Sequence, residues 1–150
     1  MPRRLTLLIT MFAVALVGVM PSHAAVQKKK SIRGHYDVSL SPDPTQDVLG
    51  LVKDGCNGLA GKGTDSHAFT VPAAGTLMVH LVSPDPTGKG ATDWALWLMD
   101  TDGTAIDSSD GTGSDEHTTT VFRKKQSFVI QTCNIAGQQD GHISWTFKFK

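Results

Sequence analysis

From His35 onward the apolar residues recur with a period near two, broken by Gly, Pro, Asp and Thr, which predicts a succession of short strands. The clearest is the last, where Ile143, Trp145, Phe147 and Phe149 alternate with Ser144, Thr146, Lys148 and Lys150, giving one core face and one wet face. Leu77, Val79 and Leu81 alternate with Met78, His80 and Val82, and Trp94, Leu96 and Leu98 with Ala95, Trp97 and Met99. Both faces of these two segments are largely apolar, so each belongs in the middle of a sheet or lies under a loop on its second face. Ser127 to Cys133 is a further strand, with Phe128 and Ile130 opposed to Val129 and Cys133; weaker segments are 35–40, 67–71, 105–108 and 117–122. Only Val48 to Lys53 offers a short helical turn.

The punctuation is specific. Met99-Asp-Thr-Asp-Gly-Thr104 reads as a tight reverse turn in which Gly103 supplies the positive φ. Ser-Pro-Asp-Pro-Thr occurs at 41–45 and again at 83–87; prolines flanking an aspartate cannot continue a ladder, so both copies are expected to end strands. The glycine-rich tract 55–63 opens no helix and lacks the Lys-Ser/Thr ending of a phosphate-binding loop, which excludes that mode of nucleotide binding.

The N-terminus changes the picture from fold to compartment. Arg3 and Arg4, an apolar run from Leu5 to Met20 and Pro21-Ser-His-Ala24 have the zones of a secretory signal cut after Ala24; a retained membrane anchor is the alternative. A secreted or periplasmic chain is expected, with a basic flexible tail at 25–34, one domain at 35–150 and no membrane span after cleavage. Loss of Arg3 and Arg4 from 14 basic residues leaves 12 against 14 acidic, a net −2, and so balanced a charge argues against a dedicated nucleic-acid binder. The two cysteines, Cys56 and Cys133, are expected to form one disulfide in an exported chain, free buried thiols being the other reading. The expected class is an all-β antiparallel sandwich, jelly-roll-like, with one disulfide.

The run Thr92-Asp-Trp-Ala-Leu-Trp-Leu-Met-Asp-Thr-Asp-Gly-Thr104 resembles the central hairpin of the bacterial pre-peptidase C-terminal domain, with Asp93, Leu96, Leu98, Asp100 and Gly103 at matching positions. Phe69 to Leu77 is similar to that family's strand, turn and glycine, and Ile143 to Phe149 to its closing strand. The likeness extends over roughly residues 65–150. It implies a small jelly-roll-like sandwich accessory to secreted peptidases, with calcium held in edge loops of some members. His142 after Gly141 replaces the family's usual aromatic residue, and a Cys56–Cys133 bridge is no part of its pattern.

Between Asp85 and Glu116 stand eight acids against Lys89, a local charge of −7. Asp100, Asp102, Asp107 and Asp110 are the calcium candidates among them, since calcium takes six to eight oxygens from flexible loops; aspartates serving turns are the plainer reading. Asp93, Trp97, Asp100, Asp102, Asp107 and Asp110 form the candidate binding set, in loops 84–93 and 100–116 expected at one end of the sandwich. Trp97 is expected to be the outward tryptophan, because Ala95 and Met99 beside it make a shallow surface. Asp65-Ser66-His67 cannot form a catalytic relay on an extended chain, since neighbours point to opposite faces. His35, His67, His80, His117 and His142 fall on five elements without a metal-helix spacing. No cofactor beyond that calcium is expected. The reading is a non-catalytic exported module, not an enzyme, binding a protein or polysaccharide partner or accessory to a secreted peptidase; a small enzyme or inhibitor built on the 55–67 loop is the alternative.

Overall fold

The computed structural model describes residues 30–43, 56 and 63–150. The signal segment 1–24, the tail as far as 29, the helical turn considered at 48–53 and most of the glycine tract lie outside the described residues. Eight strands cover the rest: β1 Ser31–Ser39, β2 Thr64–Val71, β3 Gly75–Val82, β4 Asp93–Asp100, β5 Ala105–Ser109, β6 Asp115–Phe122, β7 Gln126–Ala136 and β8 Asp140–Phe149. Each contains one of the eight alternating segments. Pairing gives two antiparallel four-stranded sheets, ordered β1-β8-β3-β6 and β2-β7-β4-β5, which is the strand order of an eight-stranded jelly roll. The two Ser-Pro-Asp-Pro-Thr copies follow the ends of β1 at Ser39 and β3 at Val82, as expected of prolines that cannot donate to a ladder.

The inward positions interdigitate between the layers. Leu77, Val79 and Leu81 of β3 meet Trp94, Leu96 and Leu98 of β4, with Phe128, Ile130, Ile143 and Phe147 completing a core from which water is excluded. Phe69 packs edge-on against Trp145 at 4.7 Å, and Phe122 stacks on Phe128 at 5.1 Å. Gly103 turns β4 into β5 with φ +86°, its N–H donating to the Asp100 carbonyl at 3.0 Å. At the β7–β8 turn Gly137 has φ +87°, and a Cβ there would stand 2.5 Å from the Ala91 carbonyl oxygen, so both conformation and space require glycine.

Two expectations are corrected. Residues 31–34, assigned to a flexible tail, open β1, pairing Ser31 with Lys148 and Gly34 with Trp145. The alternation is hidden in the sequence because the inward position between Ile32 and Tyr36 is Gly34, and the Trp145 indole takes the space, within 2.6 Å of where a Cβ would stand. Trp97, expected outward and exposed, is only 6% exposed. It points away from the main core, yet the outer face of β4 is itself closed: Ala95, Trp97, Met99, Cys133 and Ile135 form a second apolar cluster that includes Cys56. Cys133 lies opposite Ala95 and Gln131 opposite Trp97. The Cys56–Cys133 disulfide, with Cα atoms 5.8 Å apart, brings Cys56 onto that face, and the Cys56 N–H donates to the Gln131 Oε1 at 2.9 Å.

Candidate functional site

Antiparallel pairing sorts the connections into two groups. One end of the sandwich carries the turns at 72–74, 101–104 and 123–125 with Lys30 and Lys150; the other carries 40–43, 83–92, 110–114 and 137–139. This corrects the expectation that 84–93 and 100–116 share one end. β5 lies between Asp102 and Asp110, and its five residues extend roughly 17 Å at about 3.3 Å each, so Asp102 and Asp110 cannot share a cation.

The aspartates are employed locally. Asp100 accepts from the Thr101 N–H at 2.7 Å and Asp102 from the Thr104 N–H at 2.9 Å; the bonds from Thr104 hold the Asp102 carboxyl below its ordinary range. Asp107 accepts from the Thr120 hydroxyl of β6 at 2.6 Å and from the Ser108 N–H at 3.0 Å. Asp93 accepts from the Gly113 N–H at 3.2 Å. Asp85 accepts from the Thr87 hydroxyl at 2.8 Å, the largest cause of its lowered pKa, and from the Gly90 N–H at 2.9 Å. Among the described residues no three His, Cys, Asp or Glu side chains are arranged to hold a metal ion. The four calcium candidates are not brought together.

Glu116 is the acid the sequence did not single out. It is 3% exposed at the start of β6, where its carboxylate accepts from the Ser109 hydroxyl and from the Gly111 N–H at 3.1 Å. Burial pushes its pKa up, opposed by those two bonds and reinforced by Asp110 and Asp93. The folded chain therefore holds this proton more tightly than the unfolded chain does, so the stability it contributes is present at low pH and is lost as pH rises through the raised native value. Measured by urea midpoints, Glu116→Gln is expected to gain on the parent protein as pH climbs from about 4 toward neutrality; a gap that moves the other way contradicts this.

Asp65, Ser66 and His67 diverge as expected. Ser66 Oγ accepts from the Gln131 amide at 3.3 Å, and His67 stacks on Tyr36 at 4.3 Å. Tyr36, its phenol buried, is held protonated by that burial and then by the Asp65 charge.

A concavity lies at the end opposite Glu116. A cleft of about 690 Å³ is lined by Ala74, Gly75, Thr76, Val121, Phe122, Arg123, Lys148, Phe149 and Lys150. Half-buried Phe149 and the edge of Phe122, itself 4% exposed in the core, border it on the inner side, Val121, 71% exposed, faces outward beside them, and Arg123, Lys148 and Lys150 rim it. Backbone bonds from Phe149 N–H to the Lys30 carbonyl and from Lys150 N–H to the Ala74 carbonyl, both 3.2 Å, fix the end of β8. Lys30, Arg123, Lys124, Lys125, Lys148 and Lys150 gather at this end beside only Asp100 and Asp102, whereas the far end has Lys89 among nine carboxylates of the described residues. The side-chain ion pairs among the described residues are His80–Asp115 and His142–Asp37, so none of the cleft's cations pairs with a carboxylate of the described residues. The sequence does not reveal this end, because its cations come from three separate segments and converge only when β3, β6 and β8 become neighbours.

No family model and no curated protein matches the chain. Among solved structures it is similar to an antigen and type I fimbria protein of Burkholderia pseudomallei, at 13% identity and a TM-score of 0.33 over 79% of this chain and 99% of that one. It is also similar to the VP2 subviral particle of infectious bursal disease virus, at 14% identity and a TM-score of 0.33 over 92% of this chain and 37% of that one. Both likenesses are remote, and the two-layer architecture rests on the strand pairing of this chain itself.

Proposed function

We propose that this protein is an exported, non-catalytic β-sandwich module whose basic cleft at 121–123 and 148–150 takes an acidic segment of a partner protein. The carrying observation is one cleft that joins apolar surface, half-buried Phe149 and exposed Val121, to the cations Arg123, Lys148 and Lys150, which pair with no carboxylate among the described residues. Apolar contact supplies affinity and the cation rim supplies orientation and encounter rate toward a chain of opposite charge. The crowding of carboxylates at the other end favours one docking direction for such a ligand. The signal-like N-terminus and the Cys56–Cys133 disulfide support an oxidising compartment outside the cytoplasm, and the resemblance to the pre-peptidase domain supports an accessory role beside an exported enzyme.

A fluorescein-labelled peptide with alternating Glu and Phe tests the cleft directly. It is expected to bind in a salt-dependent way, and Arg123→Glu with Lys148→Glu is expected to weaken it at least about tenfold while leaving the thermal midpoint unchanged. Equal binding of a peptide in which Lys replaces Glu, or no effect of the double substitution, contradicts the proposal.

A further inference from the structure

Strand parity places four histidines on one surface. His35 of β1, His142 of β8, His80 of β3 and His117 of β6 all occupy outward positions of the β1-β8-β3-β6 sheet and all are exposed. They fall into two pairs. The His35 and His142 rings have centres 5.4 Å apart with planes inclined at 33°, and His80 stands directly opposite His117 in the β3–β6 register, which sets their Cβ atoms about 5 Å apart. In each pair one imidazole is held by an aspartate from a neighbouring strand: Asp37 Oδ1 is 2.6 Å from His142 Nδ1, and Asp115 Oδ1 is 2.5 Å from His80 Nε2.

We infer that this face binds divalent transition cations, Cu2+ most strongly and Zn2+ or Ni2+ after it, through the imidazole pairs His35–His142 and His80–His117. Two imidazoles that share one cation at about 2.1 Å place their ring centres roughly 5 Å apart, so the 5.4 Å separation of His35 and His142 needs only small side-chain rotations to close on a metal. The aspartates fix the tautomers. A carboxylate only accepts, so His142 donates through Nδ1 and leaves Nε2 as a lone-pair donor, while His80 donates through Nε2 and leaves Nδ1. Such a carboxylate behind a ligating histidine orients the ring and raises its basicity. No third protein ligand converges on either pair among the described residues, so the remaining coordination positions stay open to water, a geometry that suits the ordering in which Cu2+ binds nitrogen ligands best. Gly34, Ser144 and Thr146 surround the first pair in a shallow hollow of about 560 Å³ that also admits Arg33. Arg33 is two residues from His35 along β1, about 7 Å away on the same face, and Asp37, equally spaced on the other side, offsets its charge.

The test uses the untagged exported protein, titrated with CuCl2 and then ZnCl2 in a non-coordinating buffer, by calorimetry and by electron paramagnetic resonance of the copper form. About two equivalents of Cu2+ are expected per chain, each with two-nitrogen hyperfine structure. His35→Gln with His142→Gln is expected to remove one equivalent, and His80→Gln with His117→Gln the other, with the circular dichroism spectrum unchanged because all four side chains are exposed. Asp37→Asn is expected to weaken the first site about tenfold and to leave the second unchanged. Absence of binding at micromolar metal, or two equivalents retained when all four histidines are glutamine, overturns the inference.

Discussion

Replacing both Cys56 and Cys133 with alanine is expected to lower the unfolding free energy by about 4 kcal/mol, and reduction of the parent protein is expected to do the same. The bridge joins residues 77 apart in sequence, and the chain-entropy account assigns a closed loop of that length roughly 4 to 5 kcal/mol by restricting the unfolded chain. A second consequence distinguishes this chain from one with a merely external staple. Cys56 belongs to the apolar cluster over Trp97, so release of the bond opens the outer face of β4 and exposes that indole. Urea denaturation gives the first quantity, and acrylamide quenching of a variant retaining only Trp97 gives the second. Loss of stability without any gain in quenching leaves the entropic effect intact and contradicts the covering role of Cys56.

Trp94→Ala is expected to cost about 3 to 5 kcal/mol, the range for removing a fully enclosed aromatic side chain. Trp94 has no exposed surface, and its Nε1–H donates to the Gln138 carbonyl at 3.2 Å. Its ring fills the space above Gly141, approaching to 3.1 Å the point where a Cβ would stand. Truncation therefore leaves a cavity between β4 and β8 and removes one of two donors to the Gln138 carbonyl, which keeps the Asn134 Nδ2–H at 2.9 Å. Thermal or urea unfolding measures the loss; a change below about 1 kcal/mol indicates an indole in contact with water rather than in the core.

What the chain makes legible is what alternation carries within one strand. Ile143, Trp145 and Phe147 announce a half-wet strand, Trp94, Leu96 and Leu98 a central one, and Gly103 its turn. Alternation is silent about what lies beyond the strand. Trp97 reads as outward because its neighbours Ala95 and Met99 are modest, yet its environment is set by Cys56, 41 positions earlier and brought to it through the bond to Cys133 and the contact with Gln131. The first turn of pairing in β1 was invisible for the opposite reason: its inward position holds no side chain, the indole of Trp145 standing in for one.

Placement of loops is the larger gap. Asp100, Asp102 and Asp110 are near neighbours in sequence, so their charges read as one acidic patch, but an extended chain carries β5 from one end of the sandwich to the other. Arg123, Lys148 and Lys150 show the converse, distant in sequence and adjacent around Phe122 and Phe149. Both outcomes depend on strand direction and order, which long-range pairing decides. The four outward histidines belong to the same category: each is an unremarkable wet position on its own strand, and the pairs exist only because β1 lies beside β8 and β3 beside β6.

The central claim is that β3 and β8 of one sheet lie face to face with β4 of the other, the jelly-roll order. Nuclear Overhauser spectroscopy of the protein tests it most directly at Gly141, whose position is approached by the Trp94 ring and by the Leu81 side chain. The predicted result is cross-peaks from the Gly141 α protons to the Trp94 ring protons and to the Leu81 methyls. A Trp94 ring that instead shows contacts to Met99 and Cys133, with none to Gly141, would place it on the outer face and contradict the packing.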